Sequence, residues 1–272
     1  GTNYSIKTGK GFKNLGFNLG LNYIKIGDRH TPSYSLTNSG KEEKGFNLGF
    51  HYHLKNFDIK TYYSYVDIDL ALLRSSMFHS GNAISRAMSS DIPLIIEPFS
   101  YNIKPPSQYV KHHFLKASVD WWYNKNEKVS LIAGRQLNKR EEFDVRRNID
   151  KPIIDLDLTS FDLMLEWNHS FSDNLDGLIG FHFFNQDNDN NPGTQTTPFI
   201  PNYNTNRFSF FLIENLKFGK NFFELGLRID NEDYNVRGRE VSQNIFRDEH
   251  SLTNMTFSIG YKNQVSENLL FR

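Results

Sequence analysis

Gly45-Phe46-Asn47-Leu48-Gly49-Phe50-His51-Tyr52-His53-Leu54 sets the reading of this chain. Phe46, Leu48, Phe50, Tyr52 and Leu54 fall on one side of an extended segment, and Asn47, Gly49, His51 and His53 on the other. Side chains alternate across a strand with a period of two, so this is a strand with one apolar and one polar face. The pattern recurs along the chain. Phe17, Leu19, Leu21 and Tyr23 oppose Gly16, Asn18, Gly20 and Asn22; Leu115, Ala117, Val119 and Trp121 oppose Lys116, Ser118 and Asp120. Phe161, Leu163, Leu165 and Trp167 oppose Asp162, Glu166 and Asn168; Phe223, Leu225, Leu227 and Ile229 oppose Glu224, Arg228 and Asp230; Met255, Phe257, Ile259 and Tyr261 close the series. A long sheet with these two faces is solvated by lipid outside and water inside, which predicts an antiparallel up-and-down transmembrane β-barrel.

The connections support the same reading. Short polar turns are expected at 8–14, 55–56, 124–128, 172–174, 219–221 and 262–267, rich in Gly, Asn, Asp, Ser and Lys. Long connections fall between them, at 28–43, 73–107, 138–152, 186–206 and 234–250. Short periplasmic turns alternating with long extracellular loops are the habit of such barrels. About twelve strands are expected, most near the ~9–11 residues that cross a bilayer at a tilt.

Composition fits. The 272 residues carry 31 basic and 31 acidic side chains, so no bulk field points to nucleic acid. Aromatics reach 15 % while mean hydropathy is −0.57, as expected of an apolar band with aromatic girdles and wet loops. There is no cysteine, which excludes thiol chemistry. No apolar run approaches the roughly 18 residues of a spanning helix. The opening Gly1-Thr2-Asn3-Tyr4 reads as the start of an excerpt from a longer protein.

Two charges interrupt the apolar faces. Arg135 lies in line with Val129, Leu131 and Ala133, and either snorkels to the outer rim or is turned inward by a bulge. Glu214, in line with Phe208, Phe210 and Leu212, lies near a turn, where the cost is small. Trp121, Trp122, Tyr123 and Trp167 lie close to short turns and are expected to form the periplasmic girdle. The soluble alternative, a propeller or sandwich, needs shorter strands and no loops confined to one end.

Several blocks carry a family likeness. They are Leu73-Arg74-Ser75-Ser76 through Gly81-Asn82, Pro98-Phe99-Ser100-Tyr101-Asn102-Ile103, and Gln108-Tyr109-Val110-Lys111-His112-His113. The run from Gln136 through Arg146-Arg147 to Pro152 and Leu156-Asp157-Leu158 is the most specific; Asn191-Pro192-Gly193-Thr194 and Ile200-Pro201-Asn202-Tyr203 follow. Together they resemble the barrel of TonB-dependent outer-membrane receptors, particularly the ferric-siderophore and haem receptor-like branch. The closing Phe271-Arg272 is similar to the start of that family's Phe-Arg-x-Pro segment. Pro106-Ser107-Gln108 departs from the Pro-Arg-Gln usual in the branch.

The resemblance implies a 22-stranded barrel closed around an N-terminal plug. Residues 1–272 would then be a partial barrel, about 12 of 22 strands, without plug, TonB box or C-terminal strands. It also implies the partners: the protein's own plug, the TonB complex acting through it, outer-membrane lipid and lipopolysaccharide, and a ferric-siderophore or haem-like ligand. The expected location is the outer membrane of a Gram-negative bacterium. Ligand would bind extracellular loops and plug, and pulling by TonB would open a path through the lumen.

Candidate ligand-binding residues are Arg74, His79, Arg140, Arg146 and Arg147. Arginine forks suit a carboxylate- or catecholate-bearing complex. The block Lys139, Arg140, Glu141, Glu142, Asp144, Arg146 and Arg147 mixes both signs, which equally fits an ion-pair network pinning a loop. His51 and His53 share a face but sit by a periplasmic turn, and His112 and His113 face opposite ways; these read as hydrogen-bonded wall residues. The connection 73–107 is too long to be passive and reads as a folded lid, with a short helix capped by Asn82. No nucleophile elbow, Walker loop or zincin pair is present, and no catalytic residue, metal or cofactor is assigned. An energy-coupled receptor is the first reading; a passive porin and an outer-membrane barrel enzyme are the alternatives.

Overall fold

The computed structural model describes every residue except His79, Val241, Gln243, Glu267, Asn268 and Arg272, with backbone alone at Ser266 and Leu269. The strands are β1 (Thr2–Gly11), β2 (Leu15–Ile26), β3 (Arg29–His30), β4 (Ser35–Leu36), β5 (Lys41–Leu54), β6 (Phe57–Ala71), β7 (Ser107–Trp122), β8 (Lys128–Phe143), β9 (Ile154–Ser172), β10 (Leu175–Asn190), β11 (Asn202–Phe218), β12 (Asn221–Arg239), β13 (Ile245–Ser266) and β14 (Leu269–Phe271). An α-helix, α1 (Gly81–Met88), lies between β6 and β7. Among the described residues twelve strands form one sheet in the order β1-β2-β5-β6-β7-β8-β9-β10-β11-β12-β13-β14, every neighbour antiparallel. β3 and β4 make a separate hairpin in the first long loop. The sheet is open, with β1 and β14 at its two edges.

The strands outrun the expected length. β13 has 22 residues, β9 and β12 have 19 each. The surplus lies at the loop ends, where Lys139 to Phe143, read from sequence as the start of a loop, remain in β8. Cross-strand charge pairs hold these extensions: Lys25 lies 2.9 Å from Glu42 across β2 and β5, and Lys139 3.8 Å from Asp155 across β8 and β9.

Among the described residues no element covers the apolar face. Contacts run between adjacent strands, and the buried apolar core among the described residues is Ala71 alone. Phe17, Leu48, Leu115, Leu131, Leu165, Phe181, Phe208 and Met255 are all exposed on that face, and Phe257 reaches 77 %. A water-soluble sheet would bury such a surface against a second layer.

Register supplies an independent test. On β2 the apolar face ends at Tyr23 and its first charge is Lys25; on β13 it ends at Met255 and the first polar residue is Thr253. Thr253 pairs with Asn231, and the row continues through Phe208, Phe183, Leu163, Ala133, Ala117, Thr61 and Phe50 to Phe17. Phe17 is eight residues below Lys25, nine strand steps away. At ~3.3 Å per residue and ~4.8 Å per strand, the apolar boundary is therefore tilted about 30° from the hydrogen-bonding direction. Tilted barrel strands crossing a planar interface give that slant, at ~35–45°.

Candidate functional site

The long connections form the first candidate surface. Loop 72–106 is tied along its length to loop 27–40 by three buried polar side chains, Asp28, Thr37 and Asn38. Asn38, held at φ 59°, donates through Nδ2 to the carbonyls of Leu72, Lys104 and Pro106 at 2.8–2.9 Å and accepts from the Lys104 amide. Both feet of the long loop are thereby fixed by one side chain. Asp28 accepts from the Ser39 and Ser100 amides, and Thr37 accepts from Glu97 and donates to Ile95 O. His30 stacks on Phe99 with ring centroids 5.3 Å apart. The loop is folded and anchored, as expected. Its helix is capped by Ser80 rather than Asn82: Ser80 is extended and its Oγ accepts from Ala83 N, whereas Asn82 already lies in the first turn. Ile84, Met88, Ile92, Leu94 and Ile96 stay exposed.

Of the five sequence-predicted residues, the described Arg74, Arg140 and Arg146 are each held by a different partner. Arg74 serves the clasp, its amide donating to Thr37 O and its guanidinium to Met77 O. Arg140 points to the lumen and binds Glu142 two residues on, with Nε at 2.9 Å. Arg146 holds Asp144 through Nε at 2.7 Å and Nη2 at 2.6 Å. Burial pushes the Asp144 carboxyl up, but hydrogen bonds and charge from Arg146 outweigh it and hold the group below its ordinary range. Arg147 is exposed, without a hydrogen bond or ion pair among the described residues. His79 lies outside the described residues, as does Arg272. The mixed-sign block is thus largely an ion-pair network.

The polar face is a continuous hydrogen-bonded wall. His51 and His53 both reach Asp58, at 3.3 and 2.6 Å; His112 meets Asn138, and His182 lies 2.8 Å from Asp162. Asp120 accepts from Ser130 and lies 3.5 Å from Lys128. On β10–β12, Arg207 lies over Phe184 and Arg228 over Phe211, while Arg228 also binds Asp230 and Ser209. No group of three or more His, Asp or Glu among the described residues is arranged to hold a metal ion.

The wall corrects one reading, at Trp122, and decides between two at Arg135. Trp121 stacks on Phe57, and Trp167 Nε1 donates to the Tyr123 hydroxyl at 2.7 Å, forming a girdle; Trp122 instead faces the lumen with Lys128 over its ring. The Glu127 carboxylate in the turn below is held under its ordinary range, first by the Tyr123 hydroxyl and also by the Ser170 amide. Arg135 is not turned inward: β8 pairs without a break on both sides, and Arg135 stays exposed between Leu115 and Phe161.

Glu214 has a partner that sequence reasoning missed. Its carboxylate lies 3.0 Å from Nε2 of His169, whose side chain is 0 % exposed beneath Trp167 and Phe171. The two meet across β10 at Gly177, where a Cβ would come within 2.7 Å of Glu214 Oε2. The available signal was a carboxylate and a histidine on lipid faces two strands apart with a glycine between.

No protein-family model matches the chain, and no curated protein matches by sequence. Solved structures do. The open form of the ferric-catecholate import receptor Fiu from E. coli K12 superposes with a TM-score of 0.72 at 11 % identity, covering 98 % of this chain and 50 % of that one. The siderophore receptor PiuA from Acinetobacter baumannii gives 0.66 at 12 %, covering 98 % and 46 %. The copper transporter OprC gives 0.64 at 8 %, covering 97 % and 44 %. The chain thus spans about half the length of the structures it matches. At these identities the likeness establishes the fold alone, an antiparallel up-and-down sheet like part of those barrels.

Proposed function

We propose that the chain is part of the barrel wall of an outer-membrane receptor for energy-coupled uptake of a large scarce nutrient, a ferric siderophore before a haem-like ligand. The observation that carries this reading is the uncovered apolar face with its oblique boundary, which fits lipid contact. Anchored extracellular loops and a hydrogen-bonded polar wall suit a receptor that captures cargo outside and passes it through a filled lumen. The likeness to receptors named for ferric-catecholate, siderophore and copper transport supports import over catalysis.

The partners follow from the same reading: the protein's own plug domain within the polar wall, the TonB complex through that plug, and lipid with lipopolysaccharide around the band, in a Gram-negative outer membrane. Arg147 and Arg74, at the loop end of the wall, are the cationic contacts offered to an anionic chelate; Arg140 and Arg146 are occupied by Glu142 and Asp144. His79 belongs to the same proposal on sequence grounds.

A deletion strain grown on single iron sources tests the function. Loss of growth on one ferric chelate, restored by the full-length gene but not by one lacking the segment that engages TonB, is expected. Unimpaired growth on every chelate and on haem would overturn iron uptake.

A further inference from the structure

At the short-turn end of the outward face a carboxylate, an imidazole and a second carboxylate stand in one row. Lys128 pairs with Asn168, so Glu127, one step on, stands level with His169; His169 pairs with Gly177, and Gly177 with Glu214. The next row towards the band is Val129, Trp167, Ile179 and Leu212, all apolar. Among the described residues neither Glu127 nor Glu214 has an ion pair with lysine or arginine. Glu214 lies 3.0 Å from His169 Nε2, so Nε2 carries the ring proton and Nδ1 is left as an acceptor. That Nδ1 is buried and has no partner. The two ring nitrogens diverge, so Nδ1 is turned away from Glu214, and Glu127 stands on that other side of the ring. Glu127 is itself held in place by the Ser170 amide at 3.3 Å, by Asn124 and by the Tyr123 hydroxyl. Trp167 and Phe171 lie against the imidazole with centroids 5.1 and 4.4 Å away, and Phe171 is 60 % exposed. Acceptors and ring faces thus converge where the protein supplies neither a cation nor a donor for Nδ1.

Resting on the membrane reading above, we propose that Glu127 and His169 Nδ1 seat the primary ammonium of a phosphatidylethanolamine headgroup in the periplasm-side leaflet. An ammonium has N–H donors to give both acceptors at once, and its charge offsets the two acids at the edge of the lipid-facing band. Trp167 and Phe171 add the attraction of their ring faces for a cation, and Phe171 is the exposed cover that turns aside to admit it. Glu214 does not touch the headgroup. It is a positioning residue, which keeps the proton on Nε2 and so keeps Nδ1 free to accept. A quaternary ammonium has no N–H for Nδ1, so the seat discriminates against a choline headgroup. Val129, Leu131 and Leu165 continue from it as an exposed or half-exposed strip along which acyl chains lie, which selects an amphiphile over a soluble amine.

The test uses full-length protein in phosphatidylglycerol nanodiscs, titrated with phosphatidylethanolamine, with phosphatidylcholine of the same chains, and with free ethanolamine, read by native mass spectrometry. The wild type is expected to hold phosphatidylethanolamine about tenfold more tightly than phosphatidylcholine, and Glu127→Gln to lose that preference. Glu127→Asp should stay within a few-fold of the wild type, and the lumen-side Asp120→Asn should be unchanged. The imidazole nitrogen NMR spectrum, assigned by difference against His169→Gln, should show a bare Nδ1 in the wild type and both tautomers in Glu214→Gln. Equal affinity for the two lipids, an intact preference in Glu127→Gln, a protonated Nδ1 in the wild type, or displacement of the lipid by free ethanolamine would each overturn the seat. Quenching of Trp121 and Trp167 by brominated lipid separates this from the parent reading. Absent quenching removes the membrane assignment, whereas quenching with no preference between the two lipids removes only the ammonium seat.

Discussion

Replacing His169 by leucine leaves Glu214 as an unpaired carboxylate on the lipid side of the barrel. The imidazole is fully covered and 3.0 Å from a carboxylate that is itself 23 % exposed. Breaking a fully buried pair costs about 3–5 kcal/mol. Acidic groups on a barrel's lipid face cost less than the ~2–4 kcal/mol of mid-plane arginine or lysine, and the penalty falls to about 0–1 kcal/mol at the interfaces. Glu214 lies two register rows beyond the Ile179–Leu212 pair, close to the turn at 173–174, so the structure places the loss at about 1–2 kcal/mol. The control is the double variant His169→Leu with Glu214→Leu, which removes both polar groups; it should recover most of that loss, because an orphaned charge rather than a missing contact is the cause. His169 Nδ1, already without a partner, adds a reason for the apolar pair to be tolerated. Thermal unfolding of the full-length protein in detergent, followed by the β-sheet circular dichroism signal, reads the difference. A double variant no more stable than His169→Leu alone would refute the reasoning, since the cost would then arise from packing under Trp167 and Phe171.

Asn38→Ala removes four hydrogen bonds to both feet of the 72–106 loop, and at about 1 kcal/mol each should loosen it by ~2–4 kcal/mol; hydrogen exchange should rise there while the strands keep their protection. Leu131→Arg, at mid-band, should destabilise the barrel by roughly 2–4 kcal/mol, while the same change at lumen-side Gln136 should be tolerated, a contrast that chemical denaturation of reconstituted protein measures. Because the folded-state pKa of Asp144 is depressed, its contribution is complete above the ordinary aspartate value of about 3.9 and is lost as pH falls through the lower folded value. Proteolytic cutting within 144–153 should therefore increase below about pH 4 in the wild type, and already be high at neutral pH in Arg146→Gln.

Period-two alternation, as in Leu15–Ile26, Phe57–Ala71 and the stretch from Met255 to Tyr261, is a local property of the chain. Strand identity, facing and the alternation of short and long ends were therefore legible from residues alone. Strand ends were not, because the charges at Lys139, Glu141 and Asp155 look like loop until a neighbouring strand supplies their partners. The candidate site was legible only as a set of residue types. Arg140 and Arg146 proved to be committed to acids two residues away, and the clasp built by Asp28, Thr37 and Asn38 joins positions up to 72 residues apart, which no local pattern encodes.

That this chain makes a sheet with one oily and one wet side could be told from its residues in order, since alternation needs nothing beyond the geometry of a single strand. How those strands are set against one another came from the folded sheet. Pairing register turns separate apolar runs into one slanted band, brings His169 to Glu214 across Gly177, and sets Arg135 outward between Leu115 and Phe161, because each depends on which residues of different strands stand side by side.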